Sequence, residues 1–101
     1  MTFPIIEAHR GDSARAPENT LAAFRAAIAA GAPSIELDTH PAADGTLVVI
    51  HDATVDRTTG GTGAVSSLSL EALRRLDAGA IRGPEFAGEK IPLLAEVFEL
   101  L

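Results

Sequence analysis

The sequence contains no cysteine, so neither a disulfide framework nor a thiolate metal site is open to it. It has no excess of basic residues: eight Lys and Arg stand against fourteen Asp and Glu, a net charge of −6. That balance argues against a nucleic-acid-binding surface, which needs a basic face. It leaves an anionic substrate open, because a local cation reverses the sign of a pocket. No apolar run approaches the roughly 18 to 20 residues of a membrane span, and no basic stretch followed by a long apolar run opens the chain. A soluble, cytoplasmic protein is the expectation. No internal repeat or low-complexity segment is evident. What is present is 47% hydrophobic composition over 101 residues, enough for one real core and a single domain, residues 1–101.

Residues 4–9 read as a first strand, an apolar run bounded by Pro4 and Gly11. After a polar loop over 12–18, a helix is expected from about Thr20 to Ala30. Asn19 or Thr20 caps it, Leu21, Phe24 and Ile28 form its apolar stripe, and Gly31 ends it. A second strand covers about 34–39. Asp44-Gly45 is a hairpin-turn signal leading into a strand over Thr46–Ile50. Strand, helix and strand in this order predict a right-handed βαβ unit and a parallel sheet. Residues 52–67 form a long loop centred on Gly60-Gly61-Thr62-Gly63, which reads as flexible because it lacks the Lys-Ser/Thr of a phosphate loop. Ser69 caps a short helix with Leu70, Leu73 and Leu76 on one face, closing near Gly79. Pro92 starts a last helix in which Leu94, Val97, Phe98 and Leu101 share a face. A parallel sheet usually needs both faces covered, and a (β/α)8 barrel takes about 250 residues. The expected fold is therefore α/β: the N-terminal portion of a (β/α)8 TIM barrel, incomplete at 101 residues.

Three short motifs each close an apolar run: His9-Arg10-Gly11, Glu36-Leu37-Asp38 and His51-Asp52. Glu36 and Asp38, at i and i+2 of a strand, point to one face with Cα atoms about 6.6 Å apart. Two half-dehydrated carboxylates on one face need a cation, and a hard divalent ion such as Mg²⁺ or Ca²⁺ takes oxygen ligands at that separation. The alternative is a solvated edge strand. Folding 38 back on 46–51 brings His51 toward Asp38, and parallel pairing of the first two strands brings His9 to the same mouth. Two imidazoles there suit general acid and base work on a phosphodiester; either alone reads equally well as structural. Arg10 offers a planar fork for phosphate oxygens, with an ion pair to Glu18 or Asp12 as the alternative. Gly11 lets the backbone come close to a ligand. His40, before Pro41, reads as a solvated turn residue, and Asp52 with Arg57 as pins of the long loop.

These stretches resemble the glycerophosphodiester phosphodiesterase family. The resemblance is carried by His9-Arg10-Gly11, Ala16-Pro17-Glu18-Asn19-Thr20, Ile35-Glu36-Leu37-Asp38, Asp44-Gly45 with Val48-Val49-Ile50-His51-Asp52, Asp56-Arg57-Thr58-Thr59 with Gly61 and Gly63, and Leu76-Asp77-Ala78-Gly79. Their order and spacing fit from about residue 4 to 99. The resemblance implies a barrel of the phosphodiesterase superfamily type with its site at the C-terminal mouth. It implies metal-dependent hydrolysis of glycerophosphodiesters to sn-glycerol 3-phosphate and an alcohol, with Ca²⁺ or Mg²⁺. Carried over, His9 and His51 are the catalytic acid/base pair, Glu36 and Asp38 the metal ligands, and Arg10 the phosphate contact. The family's third metal carboxylate and a phosphate-binding lysine belong to later strands, so this chain alone is expected to bind metal weakly and turn over poorly or not at all. Two alternatives stand beside it. One is a non-catalytic partial barrel that self-associates or pairs with the missing barrel half through open strand edges. The other is a sphingomyelinase D-like or phosphoinositide phospholipase-like diesterase, against which Pro17-Glu18-Asn19-Thr20 and Arg57-Thr58-Thr59 weigh.

Overall fold

The computed structural model describes residues 7–11, 13–32 and 34–101, with Glu7, Ala8 and His9 as main chain only. Residues 4–6 of the expected first strand and Asp12 lie outside the described residues. Strand β1 (Glu7–His9) pairs in parallel with β2 (Ser34–Glu36), in the register Glu7↔Ser34, Ala8↔Ile35 and His9↔Glu36. Helix α1 (Leu21–Ala29) makes the crossover between them, as the βαβ reading expects.

Local chemistry sets the bounds of α1. The Thr20 Oγ1 accepts from the Ala23 N–H at 3.2 Å, and its own proton goes to the Pro17 carbonyl at 2.7 Å. At the other end Gly31 takes φ +77°, the Gly31 N–H bonds the Ile28 carbonyl, and the Ala32 N–H bonds the Ala27 carbonyl. Those two bonds close a Schellman motif, which glycine enters without strain. The buried face is Ala23, Phe24 and Ala27, whereas Ile28 is 41% exposed. The helix is thus turned from the expected stripe, because Gly11 backs directly onto Ala23. A Cβ on Gly11 would lie 2.8 Å from Ala23, and Gly11 has φ +77°. Its described role is this close approach to a helix.

The expected strand 34–39 is two strands. β2 stops at Glu36, and β3 (Thr39–Pro41) pairs antiparallel with β4 (Leu47–Val49). The turn between β3 and β4 is as the Asp44-Gly45 signal predicts: Gly45 has φ +89°, and the Asp44 carboxylate accepts from the Thr46 N–H at 2.9 Å. The Asp44 carboxyl is held below its usual range by that bond. His40 is a half-buried β3 residue, not a solvated turn residue; its Nε2 donates to the His51 carbonyl at 2.9 Å. On its other edge β4 meets the chain before the last helix, through the Val49 N–H on the Pro92 carbonyl at 2.8 Å and a bridge from Val48 to Leu93.

That bond moves the last helix. Pro92 is buried and serves β4, so α3 (Leu94–Leu100) begins two residues later than the expected Pro92 start. The Glu96 carboxylate reaches back to the Leu93 N–H at 2.9 Å. Val97 is buried, with Leu94 and Leu100 packed beside it, while Phe98 is 60% and Leu101 71% exposed, so the inward face differs from the expected one. Helix α2 (Leu70–Arg75) is capped by Ser69 and buries Leu73; it closes at Arg75 rather than near Gly79. Beyond it the Asp77 carboxylate accepts from the Gly79, Ala80 and Gly88 N–H groups and ties a turn of its own. Arg74 joins α2 to α3 by a bidentate bond to Glu96.

Alternation along β4 separates two interiors. Val49 joins Phe24 and Val97, with Ile35 and Leu37 at the edge. Val48 and Ile50 join Val55, Val65, Leu73 and Ile91. The 52–67 segment belongs to the second interior and is knitted rather than open. The Val55 N–H bonds the Gly63 carbonyl, the Val65 N–H bonds the Ala53 carbonyl, and buried Thr59 donates to the Val55 carbonyl at 2.7 Å. The expectation of a flexible glycine loop is corrected on that ground. Among the described residues, no helix is long and apolar enough to cross a membrane.

Candidate active site at the strand ends

The candidate residues gather at the ends of β1, β2 and β4. The main chain of His9 sits opposite Glu36 in the parallel register; the His9 side chain lies outside what the structure describes. β2 ends at Glu36, so Asp38 falls just past the strand and the same-strand premise for the acidic pair does not hold. Both carboxylates are half-buried. The Ile50 N–H bonds the Asp38 carbonyl at 2.9 Å, which carries the ladder one rung beyond β3–β4 and brings Asp38 to the residue before His51.

Asp38 is held by two neighbours from the first loop. Asn19 Nδ2 donates to Asp38 Oδ2 at 3.2 Å, and Arg10 Nε lies 3.7 Å from the same oxygen. Arg10 and Asn19 both take φ +55°, and the Asn19 N–H bonds the Arg10 carbonyl at 2.8 Å. Two non-glycine residues in the left-handed region mark a backbone that its surroundings must hold in place. Here they pinch the ends of the 11–18 loop together and turn both side chains toward Asp38. Asn19 is 3% exposed, and its Oδ1 is buried with no hydrogen-bond partner among the described residues.

Glu18 is the hub of the site. Its Oε2 accepts from Arg10 Nη1 at 3.0 Å and Arg57 Nη2 at 3.0 Å, and its Oε1 accepts from Arg57 Nη1 at 2.6 Å. The other side of Arg57 forks onto Asp52, with Nε to Oδ2 at 2.9 Å and Nη2 to Oδ1 at 3.0 Å. Asp52 in turn meets His51 Nδ1 at 2.9 Å. A continuous ionic chain therefore runs from Asp38 through Arg10, Glu18, Arg57 and Asp52 to His51. Of the two alternatives weighed for Arg10, the described partner is Glu18.

The charges follow from this chain. The hydrogen bonds from Arg57 hold the Glu18 carboxyl below its usual range, with Arg10 assisting. Arg57 first and His51 second hold Asp52 far below the ordinary carboxylate value, and Glu18 then Asp52 raise Arg57 further still. An ionised Asp52 accepts only, so a neutral His51 ring carries its proton on Nδ1 and leaves Nε2 as the free base. The ring is 43% exposed at the rim, where a substrate has access to it. Among the described residues its ring partner is Asp52 and not Asp38.

Sequence reasoning named Arg57 and Asp52 as pins but found no partner for them, and it weighed Asn19 only as a helix cap. The signal lay in Pro17-Glu18-Asn19-Thr20, where a carboxylate and an amide sit beside the helix start. Among the described residues, no three His, Asp or Glu side chains converge closely enough to hold a metal ion. The oxygen donors that are present, the Glu36 and Asp38 carboxylates and the unbonded Asn19 Oδ1, are of the hard type that suits Mg²⁺ or Ca²⁺.

Comparison with known proteins gives this rim a family. Residues 9–101 match the model of the glycerophosphoryl diester phosphodiesterase family. A glycerophosphodiester phosphodiesterase of Caldanaerobacter subterraneus is 58% identical over 97 residues, which cover 96% of this chain and 40% of that protein. Glycerophosphodiester phosphodiesterase 1 of Homo sapiens is 51% identical over 92 residues, covering 88% of this chain and 28% of that protein. Among solved structures, a phosphodiesterase of Oleispira antarctica in complex with the product sn-glycerol 3-phosphate superposes with a TM-score of 0.93 at 42% identity. That match covers 96% of this chain and 39% of that one. A glycerophosphodiester phosphodiesterase of Agrobacterium tumefaciens also gives 0.93, at 45% identity over 98% of this chain and 43% of its own. The chain thus spans about two fifths of the length of these bacterial relatives, and its α/β architecture is that of the N-terminal portion of their (β/α)8 barrel. It belongs to the glycerophosphoryl diester phosphodiesterase family.

Proposed function

We propose that the whole protein hydrolyses glycerophosphodiesters to sn-glycerol 3-phosphate and an alcohol, and that residues 1–101 form the N-terminal part of its catalytic domain. The observation that carries this reading is the ionic chain from Asp38 to His51, which presents an exposed imidazole, oriented by an ionised Asp52, on the rim that also holds the acidic pair. Family membership supplies the reaction class; the relative from Oleispira antarctica is seen with sn-glycerol 3-phosphate.

In this scheme His51 Nε2 takes a proton from the attacking hydroxyl, and Asp52 stabilises the imidazolium that forms. His9, at the end of β1 beside Glu36, is the second acid/base group. Glu36 and Asp38 would hold a Ca²⁺ or Mg²⁺ ion, and Asn19 fixes the Asp38 carboxylate through its amide. The ion, when bound, would polarise the phosphoryl oxygens and stabilise developing charge. Arg10 keeps its guanidinium at the same rim, with Glu18 aligning it for a phosphate oxygen.

The test is release of sn-glycerol 3-phosphate from glycerophosphocholine with Mg²⁺ or Ca²⁺. The 101-residue chain is expected to turn over poorly or not at all, and a chain extended to the length of its relatives to turn over readily. In the extended chain, His51→Ala should lower kcat by about 10²–10⁴-fold. Full activity in His51→Ala, or no product from the extended wild type, overturns the reading.

A further inference from the structure

His51 and Asp52 sit where the strand pairing gives out. The β3–β4 ladder ends with the Ile50 N–H on the Asp38 carbonyl, and the next described main-chain bond is the Val65 N–H on the Ala53 carbonyl. Between these two anchors the His51 carbonyl takes a side chain as its partner: His40 Nε2 lies 2.9 Å from it. A carbonyl oxygen only accepts, so His40 Nε2 carries a proton, and the bond persists whether that ring is neutral or protonated.

The carbonyl that His40 holds belongs to the peptide unit joining His51 to Asp52. That unit is planar, so its orientation fixes how the two side chains leave the main chain relative to one another. The bond between His51 Nδ1 and Asp52 Oδ1, at 2.9 Å, spans this one peptide. Asp52 is also fixed from its far side by the fork of Arg57. The His51 ring is 43% exposed, and its described partner is Asp52. A turn of the peptide plane therefore moves the imidazole against a carboxylate that stays in place. His40 itself is set by the sheet, in the β3–β4 register His40↔Val48.

We propose that His40 is a positioning residue for His51. By holding the carbonyl between His51 and Asp52, it keeps the Nδ1 proton of His51 on Asp52 and Nε2 presented at the rim. The inference rests on the diesterase reading above. In this role His40 touches no substrate and gives up no proton. It acts on the geometry of the base, so it enters kcat and leaves KM unchanged.

The test uses the chain extended to the length of its relatives, with glycerophosphocholine and Mg²⁺. His40→Leu has no donor, and His40→Asn is too short to reach the carbonyl; His40→Gln places an amide N–H where Nε2 stands. In the first two, kcat should fall by about 10- to 100-fold at constant KM, and His40→Gln should restore most of it. Added to His51→Ala, His40→Leu should cost nothing more, because a residue acting through His51 has nothing left to position. Nitrogen NMR shifts of the His51 ring, read without turnover, should place the proton on Nδ1 in the wild type and His40→Gln. His40→Leu and His40→Asn should show a mixture of tautomers. Amide shifts of α1, matching the wild type in all three, check the fold. Wild-type kcat and tautomer in both His40→Leu and His40→Asn, equal loss in all three variants, or further loss on top of His51→Ala overturns the proposal and leaves the diesterase reading standing. If the extended wild type forms no product, the diesterase reading fails, and the tautomer shifts alone decide whether His40 places the ring.

Discussion

Val48 and Val49 are adjacent on β4 and both fully buried, yet they face different interiors. On the Val49 side, helices α1 and α3 bring Phe24 and Val97 against the strands, the packing of a barrel wall. On the Val48 side, most of the contributors come from loops and one short helix: Val55, Val65, Leu73, Ala78 and Ile91. Repeating backbone bonds hold the first region. In the second, isolated backbone bonds such as Val55 to Gly63 and Val65 to Ala53 are joined by side chains: Asp56 on Gly63, Thr59 on Val55, Asp77 on three N–H groups and Arg57 on Asp52 and Glu18. The two regions share His51, which follows β4, the strand that belongs to both, and whose carboxylate partner comes from the loop side. The position of the candidate base therefore depends on polar pins as much as on the sheet.

The strongest way to break this division is to hollow out each interior in turn. Phe24→Ala should cost about 3–5 kcal/mol and Leu73→Ala about 2–5 kcal/mol in urea unfolding. If the regions fold as one unit, both variants shift a single transition. Two separated transitions in Leu73→Ala would make the loop-built half an independent unit.

Removing the ionic hub should have a smaller effect on stability and a sharper one on the site. Arg57→Ala should cost about 1–2 kcal/mol, discounted because the guanidinium is half exposed. In that variant the Glu18 and Asp52 carboxyls, now held down chiefly by Arg57, should titrate closer to ordinary values by NMR. Unchanged titration would show that Arg57 does not set the hub. Acid should act in the same way on the unaltered chain. Both carboxyls have folded pKa values below their unfolded ones, so their contribution is complete above about pH 5 and is lost as pH falls through the depressed folded values. Amide exchange at residues 52–60 should therefore quicken below that pH before exchange in α1 does. Simultaneous quickening would contradict the division.

The smallest expected effect is a control. Glu71 and Arg75 form an i,i+4 pair on α2 with both side chains 74% exposed. Arg75→Gln should change stability by no more than about 0.5 kcal/mol. A larger loss would mean that surface charge, and not the buried pins, holds the loop side.

The sequence was most legible where period and punctuation agree. Thr20 and Gly31 bound α1 within a residue, and Asp44-Gly45 placed the hairpin turn. It misled where tertiary bonds override local signals. Pro92 looks like a helix start, but its carbonyl is taken by β4; Ile28 fits the helical stripe, but close packing of Ala23 on Gly11 rotates it outward. The apolar run 34–39 gives no sign of its break at Leu37 and Asp38, because nothing local records that β3 pairs with a strand ten residues later. The candidate residues were legible as motifs, while the hub was not: Glu18 and Arg57 are 39 positions apart and meet only once the loop interior is packed.

Titration of the 101-residue chain with Mg²⁺ or Ca²⁺, followed through the His51 ring and the Arg10 side chain by NMR, goes most directly to the claim that the acidic pair and the imidazole serve one cation. Saturable shifts are expected in the wild type and none in Glu36→Ala or Asp38→Ala. Identical titrations in all three would contradict it.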